Sequence, residues 1–253
     1  MSISDKIQAL ETSRQAIATA ISQKGGTVAQ GDGFSQFATE ISNLPSGGDD
    51  STLRDLIERD ITSINIPSGT TRIGGSAFSG CTSLTSVIIP SSVTQILSSA
   101  FYQCTGLVSI TIPNSVNYMQ DNVFYNCTSL TSVVLPSGIT LFQQGLFYNC
   151  TSLTSVTIPN SVTRIFDSAL RNCSSLTSIS IPSSVTEIGS RAFQGCSSLT
   201  SFTCNATTPP TAGANALTDT NNCPIYVPAA SVDTYKTVSG WSTYADRIQA
   251  IPT

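Results

Sequence analysis

The sequence is poor in charge and contains no histidine. Asp, Glu, Lys and Arg make up 10% of the 253 residues, whereas an average soluble domain has about 25%. The net charge of −4 and the lack of a basic cluster argue against nucleic-acid binding, because phosphates require grouped Lys and Arg. Without histidine, the commonest general base is also missing. The composition therefore disfavours a nucleic-acid-binding protein and many familiar classes of enzyme.

Long apolar segments are lacking as well. No stretch approaches the roughly 20 apolar residues that a transmembrane helix needs. The opening "MSISDKIQALE" has no basic segment followed by an apolar one, which is the pattern of a signal peptide. We therefore expect no membrane insertion and no export by a classical signal.

What the sequence has in abundance is repetition. The phrase "NCTSLTSVTIPNSV", which begins at Asn149, has near-copies 23 residues upstream and downstream. Cysteine recurs at this interval in six positions: Cys81, Cys104, Cys127, Cys150, Cys173 and Cys196. A fixed period of this length is typical of a solenoid. The sequence thus predicts about six 23-residue coils over residues 61–203.

Each repeat carries an inward apolar pattern. Val156 and Ile158 are two residues apart and share one face of a short strand, while Leu153 folds in from the preceding turn. Val162 and Ile165 follow as a second short extended piece. One coil cannot bury this face alone, so coils must stack. The predicted fold class is a mainly β solenoid of the leucine-rich-repeat type, with a small N-terminal α-helical module and an α/β C-terminal cap.

The cysteines predict neither a metal site nor a cofactor site. Zinc sites use local cysteine pairs, whereas one cysteine per coil forms a column of small buried thiols. Cys204 and Cys223 break the register and are the only plausible disulfide pair, which the sequence leaves open. Asn126, Asn149 and Asn172 fit the glycosylation pattern because the repeat places Asn before Cys. We predict that they are turn asparagines.

The stretch "IPSSVTEIGSRAFQGCSSLTS", residues 181–201, resembles the BspA-like leucine-rich-repeat family. The tail "CPIYVPAASVDTYKTVSGWSTYADRI" is similar to the segment that often follows such arrays. Members are described as bacterial surface adhesins and protein-binding modules, so the resemblance implies recognition without catalysis. Residues 46–60 are expected to form a linker and N-terminal cap. Residues 204–253 are expected to form the C-terminal cap, with a last strand at 225–228, two short helices and Trp241 in the packing.

Residues 1–45 predict a helical attachment or oligomerisation module. Two short helices would carry apolar faces formed by Ile7, Leu10, Ile17 and Ile21 and by Phe34, Phe37 and Ile41. Helices this short make a poor core alone, which indicates packing on copies of themselves or on a partner. A helical hairpin folded on the solenoid is the alternative.

The pattern "AISQKGGTVAQGDGFSQFATEI" resembles small helical modules of bacteriophage tail and other structural proteins. The resemblance implies a virion component of the tail or head, made in the host cytoplasm and bound to other virion proteins through the N-terminal helices. It would display the solenoid to a host-surface protein or glycan as a homo-oligomer, a trimer by analogy with displayed fibres. The alternative is a secreted or surface bacterial adhesin of the BspA-like type.

Sequence variation is concentrated around the Ala-Phe mark of the central repeats, whereas outward strand positions are repeatedly Ser or Thr. Neighbouring coils place like positions about 5 Å apart, so these residues would form one patch. The predicted partner-binding residues are Tyr102, Tyr118, Gln120, Asp121, Tyr125, Leu141, Gln143, Gln144, Tyr148, Arg164, Phe166, Asp167 and Arg171. Aromatic rings bury much area at little entropic cost, as recognition surfaces require. The alternative is that the tyrosines cover the turn edge of the core.

A polysaccharide-degrading enzyme is a further alternative. Asp121 and Asp167 lie in one column two coils apart, so roughly 10 Å separates their backbones. This is near the roughly 6.5–9.5 Å between the carboxyl groups of an inverting glycosidase. The sequence shows no nucleophile motif and nothing to bury either carboxylate. We therefore predict no catalytic residues.

Overall fold

The computed structural model describes residues 62–252, which form a parallel β-solenoid. The predicted helical module, its seven attachment residues and the linker lie outside the described residues. The predicted solenoid is confirmed, with a small helix in the C-terminal part.

Two columns of short strands run along the solenoid. The first column contains β1 (Ser63–Asn65), β3 (Ser86–Ile88), β5 (Ser109–Thr111), β7 (Ser132–Val134), β10 (Ser178–Ile181), β12 (Ser201–Cys204), β14 (Ile225–Val227) and β15 (Ile248–Ala250). The second column contains β2 (Arg72–Ile73), β4 (Gln95–Ile96), β6 (Tyr118–Met119), β8 (Leu141–Phe142), β9 (Arg164–Ile165), β11 (Glu187–Ile188) and β13 (Thr211–Ala212). The strand pairings among the described residues are parallel, and the repeat period sets their register: Ser63 lies opposite Ser86 and Ser178 opposite Ser201.

The predicted inward positions are buried. Leu153, Val156 and Ile158 occupy core positions although residues 153–159 form no regular strand. Met119 and Phe142 are also in the core, as their column predicts. A column of stacked phenylalanines runs along the axis, with ring centroids 5.2, 5.5 and 5.4 Å apart, through Phe78, Phe101, Phe124 and Phe147. Each coil thus completes the core of the next.

The thiol column, formed by the six repeat cysteines, lies inside the turns. The Sγ of Cys104 donates a hydrogen bond to the carbonyl oxygen of Phe78 in the preceding coil, at 3.0 Å. The four following cysteines repeat this bond at 3.1 to 3.2 Å. Burial raises the pKa of the Cys127 thiol to about 12. All eight cysteines are buried, and Cys204 and Cys223 are not joined, so the plausible disulfide is not formed.

The asparagines before the cysteines are turn residues, as predicted. Asn126, Asn149 and Asn172 have φ angles of 59°, 58° and 61°. This left-handed conformation is one that Asn tolerates better than most residues.

The C-terminal segment continues the strand ladder after the repeat consensus ends. Ile225 lies opposite Phe202, and Ile248 lies opposite Ile225. The prediction that residues 225–228 hold a strand is confirmed, but the prediction that it is the last one is wrong, because β15 follows. The exposed edge of β14 needs partners for its backbone groups, and Ile248 fills the next core position. The ladder therefore exceeds six coils.

The rest of this segment covers the end of the core. Helix α1 (Val232–Thr237) lies between 3₁₀ helices at Ala229–Ser231 and Ser242–Arg247. Trp241 is fully buried, and its Nε1 donates to the carbonyl of Pro210 at 2.7 Å, which confirms a packing role. Among residues 62–252, no helix has the length and apolar character to span a bilayer.

Candidate recognition surface

The turn edge, defined as residues 98–103 and their equivalents in other coils, is built on backbone hydrogen bonds between coils. Ser99, Phe101 and Gln103 each donate their N–H to a carbonyl of the following coil, at 3.0, 3.0 and 2.7 Å. Ser99 and Gln103 have φ angles of 60° and 58°. The same pattern recurs from coil to coil. The turn is therefore a fixed scaffold, and it places equivalent side chains one above another.

The tyrosine ladder, formed by Tyr102, Tyr125 and Tyr148, lies on this edge. Ring centroids are 4.9 Å apart between the first pair and 4.4 Å apart between the second, with interplanar angles of 16° and 0°. The guanidinium carbon of Arg171 lies 5.5 Å from the centroid of Tyr148 and closes the C-terminal end. All four residues are half-buried. The rings thus cover part of the turn and leave part of their surface in water.

The phenol group of Tyr125 is affected by its neighbours in the ladder. Burial raises the pKa of Tyr125, and the adjacent phenols of Tyr148 and Tyr102 raise it further, while Arg171 acts in the opposite direction. A hydrogen bond between the hydroxyls of Tyr125 and Tyr148 also raises this pKa. These two phenols are therefore partners of each other within the stack.

A second ladder lies one residue further along the chain. Asn149 Nδ2 donates to Asn126 Oδ1 at 2.8 Å, so the amides of adjacent coils are linked. The sequence predicts these asparagines only as turn residues. Their position directly after Tyr125 and Tyr148 is the signal that could have placed them beside the predicted surface.

Two predicted partner-binding residues hold neighbouring turns. Gln120 Oε1 accepts a hydrogen bond from the Ser98 N–H at 2.8 Å. Asp167 Oδ1 accepts one from the Ser190 N–H at 2.7 Å. These side chains satisfy backbone donors of adjacent coils. The two aspartates of the glycosidase alternative, Asp121 and Asp167, are both exposed, and one of them, Asp167, is bonded to a turn.

The outward side of the second strand column carries another group of predicted residues. Tyr118 is 41% exposed, and Leu141 is half-buried in the next coil. Arg164 follows them, with its guanidinium carbon 4.7 Å from the Phe166 ring centroid and an ion pair to Glu187 at 2.8 Å. The hydrogen bond that Arg164 donates to the Glu187 carboxylate raises the pKa of Arg164.

Three further findings complete the surface. Glu187 was not among the predicted residues, although its position 23 residues after Arg164 in the same column indicates an ion pair. Gln143 is half-buried beside the turn, and Gln144 is exposed. In residues 62–252, no group of three or more His, Cys, Asp or Glu side chains is placed to hold a metal ion. The predicted residues therefore fall into two neighbouring groups, the turn edge and the second strand column.

The strand face, formed by the outward residues of the first column, differs from this surface. Threonine hydroxyls there bond to the preceding coil, as Thr85 Oγ1 does to the Thr62 carbonyl at 2.8 Å. Ile88 and Val134 are 63% and 59% exposed, but as isolated side chains with Thr111 between them. No aromatic or charged side chain projects from β1, β3, β5, β7 or β10.

Comparison with known proteins identifies this architecture. The family model of the BspA type leucine rich repeat region matches residues 57–177 and 167–237, in six copies. A search of the curated proteins found no match. A leucine-rich-repeat protein from T. pallidum is 26% identical, with a TM-score of 0.54, over 76% of this chain and 87% of that chain.

Two other solved structures are similar over a smaller share. Leucine-rich-repeat proteins from Eubacterium ventriosum and Bacteroides ovatus are 29% and 27% identical, both with a TM-score of 0.47. The alignments cover 53% and 67% of this chain but 42% and 56% of those proteins, so this chain spans about half their length. The family match extends over most of the described solenoid, and this chain belongs to the BspA-type leucine-rich-repeat family.

Proposed function

We propose that this protein is a non-enzymatic recognition module that binds a cell-surface partner through the turn edge of its central coils. The tyrosine ladder is the observation that carries the proposal. Its rings are half-exposed, stacked on one another and confined to three adjacent coils.

Folding of the coil does not explain the ladder. The equivalent position holds Ser79 in the coil before it and Gln194 near the other end. The turns around both residues make the same inter-coil hydrogen bonds, Phe78 N–H to the Ala100 carbonyl at 2.8 Å and Phe193 N–H to the Ala216 carbonyl at 2.9 Å. Since Ser or Gln suffices for the turn, the tyrosines serve another purpose.

Stacking also suits the ladder to binding. Each ring is held in place by its neighbour, so little rotamer freedom is left to lose when a partner docks. Tyrosine combines a large apolar area with a hydroxyl, as binding surfaces commonly require. Gln143, Tyr118 and Phe166 would extend the contact area on the adjacent column.

The setting we propose is a bacterial cell surface, with an adhesin role. Membership of the BspA-type family supports this setting. Display on a bacteriophage particle, attached through residues 1–45 as a homo-oligomer, is a finer proposal. It rests on a sequence resemblance in residues that the structure does not describe. The same turn edge would contact the host in either setting.

The test compares full-length variants for binding to a panel of intact bacterial and epithelial cells by flow cytometry. Tyr125→Ser/Tyr148→Ser should reduce binding about tenfold or more, as loss of central aromatic contacts does. Thr111→Ser, on the strand face, is the matched control and should bind like the wild type. Thermal midpoints of all variants establish that they are folded. Unchanged binding by the folded double variant would contradict the proposal.

A further inference from the structure

Arg171, at the C-terminal end of the tyrosine ladder, carries a guanidinium that no neighbour satisfies. Its Nε is buried and makes no hydrogen bond. Among the described residues, no carboxylate pairs with this side chain, whose guanidinium carbon lies 5.5 Å from the centroid of Tyr148. Asp167 accepts a hydrogen bond from the Ser190 N–H instead, and the Oε1 of Gln194 in the next coil is also buried without a partner. The charge is therefore held in place but left unpaired.

Two other arginines in the described part of the chain are paired within the fold. The guanidinium of Arg164 forms an ion pair with Glu187 at 2.8 Å. Arg247 Nε donates to the carbonyl of Cys223 at 2.9 Å. Because the chain does pair arginines where they hold elements together, the unpaired state of Arg171 needs a different explanation.

Folding does not require an arginine at this position. Ser79 and Gln194 occupy it in other coils, where the turns keep the same inter-coil hydrogen bonds. A buried Nε without a partner lowers stability, because it has lost its hydrogen bonds to water. Contact with the Tyr148 ring restricts the side chain, so little rotamer freedom is left to lose on binding. The arrangement thus disfavours a structural role and favours a preorganised group for binding an anion.

We propose that the guanidinium of Arg171 binds a carboxylate, supplied by an Asp or Glu side chain of a protein partner that docks on the turn edge. A planar guanidinium matches the two oxygens of a carboxylate, and such charge-assisted hydrogen bonds are about twice as strong as neutral ones. The rings of Tyr125 and Tyr148 would contact the apolar surface around that acidic residue. This inference rests on the proposed function, for which it names the partner class and one anchoring contact.

The distribution of charge favours a single acidic side chain over a polyanion. Arg164 and Arg171 are the only basic residues between residues 73 and 190, and Arg164 is already paired. Nucleic acids and other polyanions require clustered cations, whereas one unpaired guanidinium suits one carboxylate. The net charge of −4 gives no long-range attraction to an acidic partner, so the contact must act at short range.

The neighbouring side chains favour a protein over an acidic glycan. On the second strand column, Tyr118 is 41% exposed, and Phe166, next to β9, is half-buried. Protein interfaces are enriched in aromatic residues and Arg and depleted in Lys. No Lys occurs between residues 62 and 235. The composition of this surface therefore matches that of a protein-binding site.

Full-length Arg171 variants are tested for binding to the same panel of intact cells by flow cytometry. Arg171→Gln removes the charge, and the turn should accept it because Gln194 fills the equivalent position. We expect binding to fall about tenfold, as truncation of an interface arginine commonly causes. Arg171→Glu should weaken binding about tenfold further, since two like charges would face each other.

Lys236→Glu, on α1, is the matched control because it makes the same change in net charge as Arg171→Glu at an exposed residue outside the turn edge. It should bind like the wild type, and thermal midpoints establish that all variants are folded. Equal binding by Arg171→Gln and Arg171→Glu would show that the charge is not recognised and would overturn the inference. Normal binding by Arg171→Gln, together with loss of binding by Tyr125→Ser/Tyr148→Ser, would also overturn it but would leave the proposed function standing.

Pretreatment of the cells identifies the source of the carboxylate. Amidation of surface carboxylates with a carbodiimide and glycinamide should abolish binding, and proteinase treatment should do the same. Binding should survive periodate oxidation of surface glycans. Loss of binding with periodate and survival after proteinase would indicate an acidic glycan and overturn the inference. Absence of wild-type binding to every cell type would contradict the proposed function and this inference with it.

Discussion

The thiol column and the tyrosine ladder occupy equivalent places in successive coils, yet they obey different rules. The thiol column keeps one residue type in six coils: all six thiols are buried, and those from Cys104 to Cys196 each donate to a carbonyl of the preceding coil. The ladder position instead holds Ser, Tyr, Arg or Gln, although the backbone there is equally regular. Constancy is therefore required where a side chain faces the core. Where it faces water, the same scaffold accepts a wide range of side chains.

The largest expected effect is a loss of stability at alkaline pH, caused by the buried thiols. Burial raises the pKa of six thiols: those of Cys104, Cys127, Cys150, Cys173, Cys196 and Cys204. Unfolded thiols ionise near pH 8.5, whereas the buried ones keep their protons. The unfolded state therefore binds fewer protons, and stability falls as pH rises above about 8.5. For Cys127 and Cys196, whose pKa values are raised to about 12, the loss at pH 10 is about 2 kcal/mol each.

Tryptophan fluorescence and circular dichroism between pH 7 and 11 measure this loss. Cys150→Ala should reduce the slope of unfolding free energy against pH by about 1.4 kcal/mol per unit, because one ionising group has been removed. A thermal midpoint that is the same at pH 7 and pH 10 would show that the thiols do not behave as buried groups.

An intermediate effect is expected from alanine substitutions at two adjacent residues, Phe124 and Tyr125, which should lower stability by different amounts. Phe124 is fully buried in the phenylalanine column, so Phe124→Ala should cost about 3–5 kcal/mol. Tyr125→Ala loses two stacking contacts at a half-buried position, worth about 0.5–1.5 kcal/mol each. Urea denaturation measures both variants. Equal losses would indicate that the ladder serves chiefly to cover the core, which was the alternative interpretation.

The smallest expected effect concerns the ion pair on the second strand column. Arg164 and Glu187 have exposed side chains, at 45% and 42%. Exposed pairs are screened by water and salt, so Glu187→Gln should leave the thermal midpoint within about 2 °C of the wild type. Differential scanning calorimetry at low and high salt checks this. A large decrease in the thermal midpoint that high salt does not reduce would show that these residues contribute substantially to the stability of the fold.

Sequence reasoning succeeded wherever every coil repeats the same residue. The repeat period, the inward Leu, Val and Ile positions, the buried thiols and the core placement of Met119 and Phe142 all follow from alignment of the coils. It failed at β15, because the consensus ends before Ile248 while backbone pairing continues. Pairing depends on main-chain groups that every residue carries, so a residue pattern does not reveal it.

Alignment of the coils also predicted part of the candidate surface. Column variation selected Tyr102, Tyr125 and Tyr148, but it did not reveal that the rings stack or that Arg171 lies over the Tyr148 ring. It also grouped Gln120 and Asp167 with the partner-binding residues, whereas both side chains accept a backbone hydrogen bond from an adjacent turn. Side-chain bonds between coils depend on the geometry of the turn, which one-dimensional spacing leaves undetermined.

The one-way backbone bonds of the turn edge have a consequence for how such a chain can change in length. The turns donate N–H groups to the following coil, as Ser99 and Gln103 do, and accept on their carbonyls from the preceding coil, as Ser98 and Tyr102 do. A duplicated 23-residue segment would carry both the N–H donors for the following coil and the carbonyl acceptors for the preceding one. Insertion or deletion of whole coils therefore preserves the hydrogen bonds between neighbouring coils. Each inserted coil would add one side chain to every exposed column.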